Sequence, residues 1–117
     1  YEYHENTLTD TPDSAVQLLK SINNSNIGTY WQPLDNEKHE ERKLGLIKIL
    51  KWLENIHVSH SKDGEICPLE EGIRPWEDYI SIIKGVGGER FAMIEFVKND
   101  SPEQFLSDAS VLRKLCG

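Results

Sequence analysis

The chain has 117 residues, 38% of them hydrophobic and 28% charged, with 13 basic and 20 acidic side chains and a net charge of -7 at pH 7. That is enough for one soluble domain with its own core, and the acidic balance argues against nucleic acid or an anionic membrane as partner, since both select a basic face. No apolar run approaches the ~20 residues of a transmembrane helix, no signal peptide is recognisable, and Cys67 and Cys116 fit no CxxC or zinc spacing, which points to a reducing, cytoplasmic setting.

The chain opens on Tyr1 rather than Met, and Tyr1 to Glu5 alternates aromatic and polar residues as a strand does. An opening inside a strand is expected of a fragment of a longer protein. Thr11-Pro12-Asp13-Ser14 then starts a helix, with Thr11 as N-cap, Pro12 at the first helical position and Asp13 favourable to the dipole. Ala15, Val16, Leu18, Leu19 and Ile22 give its buried stripe, and Asn23 to Asn26 stops it. Ile27 to Trp31 reads as a second strand, ended by Gln32-Pro33. A long helix follows from about Glu37 to Leu53. Leu44, Ile47 and Leu50 form its apolar face with Leu46 and Trp52, and the charged run Glu37 to Lys43 is solvated surface. Asn55 to His60 reads as a third strand, with Ile56 and Val58 toward the helices and His57 and Ser59 opposite.

Ser61 to Ile73 reads as a loop whose length suggests function. Pro75 to Ile83 is the third helix, ending at Gly85-Val86-Gly87-Gly88. That glycine run is no dinucleotide loop, because it follows a helix and precedes a strand. Phe91 to Val97 is the strongest strand signal, apolar on both faces like a parallel strand covered on both sides. Glu95 interrupts it, and a carboxylate there is costly unless hydrogen-bonded, paired or bound to a metal. Ser101-Pro102-Glu103-Gln104 reads as a capping box before a last helix carrying Phe105, Leu106, Ala109, Leu112 and Leu115.

Strand and helix alternate through four βα units with no hairpin signal. This implies right-handed crossovers and a parallel sheet in one α/β domain, residues 1–117. Two architectures fit: a small open doubly wound sheet, or half of a (β/α)8 TIM barrel, since a whole barrel takes about 250 residues. The polar residues favour the half-barrel. Each strand carries one at or near its C-terminal end: Glu2 and His4, Gln32, His57 and His60, and Glu95. In a barrel those ends meet on the face that holds the active site.

The runs Glu2 to Thr11, Ile27-Gly28-Thr29-Tyr30-Trp31-Gln32-Pro33, Ile56-His57-Val58, Pro68-Leu69-Glu70-Glu71-Gly72 and Ala92-Met93-Ile94-Glu95-Phe96-Val97, in that order, resemble the sugar phosphate isomerase/epimerase family of xylose isomerase-like TIM barrels. The resemblance spans the whole chain but only the C-terminal half of that barrel, its fifth to eighth strands. It implies a divalent metal (manganese, magnesium, cobalt or zinc) at the barrel mouth, with Glu2, His57 and Glu95 as ligands. Gln32 stands at or near the position where the family has an Asp, which lowers ligand charge and weakens a hard cation's hold.

The resemblance also implies a sugar or sugar phosphate as substrate and proton transfer at the carbon beside its carbonyl. Glu2 and Glu95 would be the acid–base pair, and His4, His60 and Gln32 substrate contacts. Two acids placed together titrate as a coupled pair. Each assignment has a plainer alternative: Glu95 as a structural acid, His57 as a satisfied core histidine, and Lys62, which would otherwise meet a phosphate, as a solvated loop residue. Trp31 and Trp76 are expected in the core. A half-barrel is expected to be inactive alone and to pair with a second copy or with its missing N-terminal half. The alternative functions are a non-catalytic sugar-binding or scaffold protein with a lapsed metal site, signalled by Gln32, and an endonuclease IV-like phosphoesterase, disfavoured by the acidic charge and few ligands.

Overall fold

The computed structural model describes residues 1–117. It has four α-helices, α1 (Pro12–Ile22), α2 (His39–Ile49), α3 (Ile73–Gly85) and α4 (Pro102–Cys116). Its five strands are β1 (Thr29–Trp31), β2 (Leu53–Val58), β3 (His60–Lys62), β4 (Glu65–Cys67) and β5 (Ala92–Ile94). β1, β2 and β5 form a parallel sheet in that order. The N-terminal segment runs beside β1 through a single parallel bridge between Glu2 and Tyr30. The Tyr30 N–H donates to the Tyr1 carbonyl at 2.7 Å. The protein is therefore α/β, as the alternation predicts, and none of its helices is long and apolar enough to cross a membrane. Cys67 and Cys116 are free.

All four helices contribute to one core on one face of the sheet. Trp31, Ile56 and Val58 pack there with Ala15 of α1, Leu46 and Ile49 of α2, Trp76, Tyr79, Ile80 and Ile83 of α3, and Leu112 of α4. Trp31, Trp76 and Tyr79 meet edge to face with ring centroids 5.0 to 6.1 Å apart, a favoured aromatic geometry. The opposite face carries Tyr30 and Asn55, paired in register, and His57 and Met93, likewise paired. These four are half-buried and lie outside the core.

Thr11 caps α1 as its sequence predicts. Its hydroxyl accepts from the Ser14 N–H, and the Ser14 hydroxyl accepts from the Thr11 N–H, both at 3.1 Å. Ser101 caps α4 by accepting from the Gln104 N–H at 3.2 Å, but the box is half-made. The Gln104 amide donates to Asp108 instead, at 2.8 Å.

Several sequence expectations are corrected. The first strand shrinks to the Glu2 bridge, because it has a neighbour on one side only and Asn6, at φ 62°, turns the chain away. The long helix stops at Ile49, tightens into a 3-10 turn over Leu50–Trp52, and yields Leu53 to β2. Its buried face is Gly45, Leu46 and Ile49, while Leu44 and Ile47 are exposed. Apolar residues lie on both possible stripes of this helix, and the contact with α1 decides between them. A Cβ at Gly45 would come within 2.7 Å of the Pro12 ring, so only glycine lets the helices approach there.

The long loop holds a hairpin, β3 against β4, closed by Asp63 and Gly64 at φ 54° and 81°. Two positive φ values at Asp-Gly are the requirement of a type I′ turn. The third helix begins earlier than Pro75, at Ile73. The strand around Glu95 is only Ala92–Ile94 and half-buried. β5 is the sheet edge, so nothing covers its far side, and Phe91 and Phe96 are exposed. Phe105 and Leu106 of α4 are exposed too.

Asp108 is a buried acid that hydrophobic patterning does not reveal. It is 2% exposed, and its Oδ1 accepts from the Leu69 N–H at 3.0 Å. It thereby holds the 3-10 turn Leu69–Gly72 onto α4. Asp108→Ala would strand that N–H in the core and should cost about 2 kcal/mol of stability. Urea denaturation checks this; an unchanged midpoint would mean that the turn finds another partner.

Candidate functional site

Parallel strands bring their C-terminal ends to one rim. Gln32 follows the last residue of β1, His57 is the next-to-last residue of β2, and Glu95 follows the last residue of β5. Glu2 joins them through its bridge to Tyr30. Alternation fixes their direction. Ile56 and Val58 are buried at 2% and 0%, so His57 between them faces the open side. His57 is in register with Met93, and Glu95, two residues further on, shares that face.

The side chains meet. His57 Nδ1 lies 3.1 Å from Glu2 Oε1 and 3.5 Å from Glu95 Oε2. One ligand atom each from Glu2, His57 and Glu95 falls within 4.8 Å of the other two. The Gln32 amide is in reach of both acids, 2.8 Å from Glu95 Oε2 and 3.0 Å from Glu2 Oε1. With its nitrogen inward it donates to both carboxylates. With its oxygen inward it offers a fourth ligand atom. Tyr30 meets the His57 ring edge-on at 5.1 Å and limits its rotation.

The cluster is part-buried: side-chain exposure is 17% for His57, 31% for Glu2 and 28% for Glu95. Glu95 is thus no acid inside a doubly covered strand. It stands one residue beyond β5, at the rim. Loss of water pushes its carboxyl above the ordinary glutamate range; His57 opposes this, Glu2 adds to it, and His4 opposes it weakly. A cation centred in the cluster would relieve the Glu2–Glu95 repulsion, and two carboxylates, one imidazole and one amide oxygen are a donor set that manganese, magnesium, cobalt or zinc accepts.

Glu2, Gln32 and Glu95 open onto a cleft of about 410 Å³. His4 lines it as well, with its Nδ1 2.8 Å from the Glu5 carbonyl. His60 does not join them. It sits on β3, and its ring lies against Gly72, where a Cβ would come within 2.7 Å of its Cγ. Burial there pushes its pKa down. Lys62 is exposed at the turn end of β3, opposite Glu65, and is not on the cleft. A larger concavity of about 800 Å³ lies between α3 and the start of β5, beside the glycine run, and does not include Glu2 or Glu95.

Sequence reading missed several lining residues: Glu5, Asp35, Ser59, Ser61 and Phe96. The Asp-Gly turn was the available signal, since the hairpin it closes brings the Ser61 hydroxyl onto Asp35 Oδ1. No family model matches the chain, and no curated protein and no solved structure matches it significantly.

The raised Glu95 pKa gives a signed expectation. A carboxyl raised on folding contributes stability that is fully present below its unfolded value and lost as pH rises through its folded value. Glu95→Gln keeps the neutral form at every pH. Without added metal it should match the native chain in Tm in acid and exceed it at neutral pH, by melting curves across both ranges. A variant less stable at neutral pH would show that the ionised carboxylate is net favourable.

Proposed function

We propose that this chain is the C-terminal half of a sugar or sugar phosphate isomerase/epimerase-like TIM barrel, with a divalent metal site at its rim. The observation that carries the reading is the convergence of Glu2, Gln32, His57 and Glu95, each from a different parallel strand or strand-like segment, at one end of one sheet. The one-sided helix layer supports the half-barrel in preference to a doubly wound sheet, whose helices cover both faces.

Glu2, His57 and Glu95 would hold the ion, with the Gln32 amide turned oxygen-inward. When bound, the ion supplies positive charge that polarises the substrate carbonyl. The chain's own part is to orient the sugar and to move protons. One of the two, ionised, would take the proton from the carbon beside the carbonyl, and the other, entering protonated, would deliver its proton to the opposite side, which inverts that centre. Ligand atoms within 4.8 Å suit a shared cation. Flanking a carbon needs about 3 Å on each side, so one carboxylate must swing toward the cleft before the transfer.

A half-barrel must cover its open sheet face and edges. Phe91, Phe105 and Leu106 are exposed on β5's flank and α4, where further strand–helix units would dock, either the missing N-terminal half or a second copy. The isolated chain is therefore expected to bind metal without turning over.

Titration calorimetry with Mn²⁺ tests the site. One ion per chain is expected, weakened at least about tenfold by His57→Ala or Glu95→Gln and tightened by Gln32→Asp, which restores an anionic ligand. No binding, or binding indifferent to all three, would contradict the reading. In a closed barrel, exchange of the ketose C–H in D₂O should follow metal loading. Metal and sugar binding without exchange would favour the sugar-binding alternative.

A further inference from the structure

The charged run at the start of α2, expected as solvated surface, turns two of its residues inward: His39 and Arg42 are half-buried. His39 stands between two neighbours on α3. Its Nε2 lies 2.8 Å from Asp78 Oδ2, and its Nδ1 lies 3.0 Å from the Tyr79 hydroxyl. An ionised carboxylate only accepts hydrogen bonds, so Nε2 carries the proton and Nδ1 is left to accept from Tyr79. The His39 hydrogen bond, with the Lys43 charge in support, holds the Asp78 carboxyl below its ordinary range. Lys43 Nζ is 3.7 Å from Asp78 Oδ2. Asp78 thus fixes the tautomer, and His39 supplies an acceptor to the hydroxyl of a tyrosine that is only 1% exposed.

Tyr79 connects this array to the rim. Its ring meets Trp31 edge to face, with centroids 5.0 Å apart, and Trp31 directly precedes Gln32. Burial pushes the Tyr79 hydroxyl's pKa up, and Arg42 opposes this by its charge and by a hydrogen bond to the same hydroxyl. Arg42 also donates from Nε to the Leu34 carbonyl at 2.8 Å. Residues on both sides of Gln32-Pro33 are therefore held by one hydrogen-bonded strut, Asp78–His39–Tyr79–Arg42. Gln32 has a use for such a strut. Its amide meets Glu2 and Glu95 nitrogen-inward and would meet a cation oxygen-inward. Either state needs the backbone to stay still while the side chain turns.

We infer that His39 is a positioning residue for the rim: by accepting from Tyr79 it fixes the turn after β1, and with it the Gln32 amide. The inference rests on the reading of Gln32 as the fourth ligand of a metal site. His39 itself touches neither the ion nor a substrate. A simple tie between α2 and α3 would end at Tyr79. This one continues through Arg42 to the backbone two residues beyond Gln32.

Three variants test this. Tyr79→Phe keeps the ring on Trp31 and removes the hydroxyl, so the core survives it. His39→Leu removes the acceptor, and His39→Asn returns an acceptor oxygen near the place of Nδ1. The readouts are the side-chain NH₂ signals of Gln32 in the ¹⁵N-labelled, metal-free chain and Mn²⁺ affinity by calorimetry. In Tyr79→Phe and His39→Leu the Gln32 signals should move toward those of a solvent-exposed amide, and Mn²⁺ should bind about tenfold more weakly. His39→Asn should restore both. Gln32 signals and Mn²⁺ affinity unchanged in Tyr79→Phe and His39→Leu, even with a lower Tm, would overturn the inference and reduce the strut to a tie between helices. Equal losses in His39→Asn and His39→Leu would overturn it too. A native chain that binds no Mn²⁺, but whose Gln32 signals still follow His39, would contradict the metal reading and support the positioning role.

Discussion

Ile56 and Val58 are drawn into the core by the same burial that orders the helices, and that leaves His57 only the open face of the sheet. This alternation along β2 positions the whole site. It fixes the imidazole at the rim, and the register of β2 with β5 then fixes Glu95 beside it. β1 does the same for Gln32, and the Glu2 bridge brings the first acid in from the other side. A one-residue slip in β2 would exchange His57 for an apolar neighbour and empty the rim. Site and core are therefore set by one constraint, and neither can be moved without the other.

The electrostatics follow from this crowding. Two carboxylates and an imidazole share one part-desolvated end of the sheet, and Glu95 responds by holding its proton more firmly. Such a cluster is costly to leave uncompensated. His57 and the Gln32 amide compensate it partly within the chain. A cation would do so more completely, and the amide can serve either state by turning over. Glu5 and Asp35 extend the same negative field along the cleft.

The alternating α/β order, the caps at Thr11 and Ser101 and the two faces of β2 were legible in the sequence, because each rests on local chemistry. The rim residues Glu2, Gln32, His57 and Glu95 were legible through their place at strand ends. What escaped depended on tertiary contact. The rotation of α2 is decided by Pro12 against Gly45, a contact between helices far apart in the chain. The burial of Asp108 depends on the Leu69 turn that it satisfies. The exposure of Phe91 and Phe96 reflects an edge position that composition does not encode. The hairpin had a local signal in Asp63-Gly64, but its short, mixed-polarity strands hid it and placed His60 wrongly at the rim.

Everything functional proposed for this chain presupposes that the cluster at the rim is a cation site. Crystals grown with Mn²⁺ and measured at the manganese absorption edge test that directly. The account predicts one anomalous peak bounded by Glu2, His57 and Glu95, with the Gln32 oxygen turned toward it. No peak there, with the Gln32 nitrogen still bridging the two carboxylates, would contradict it.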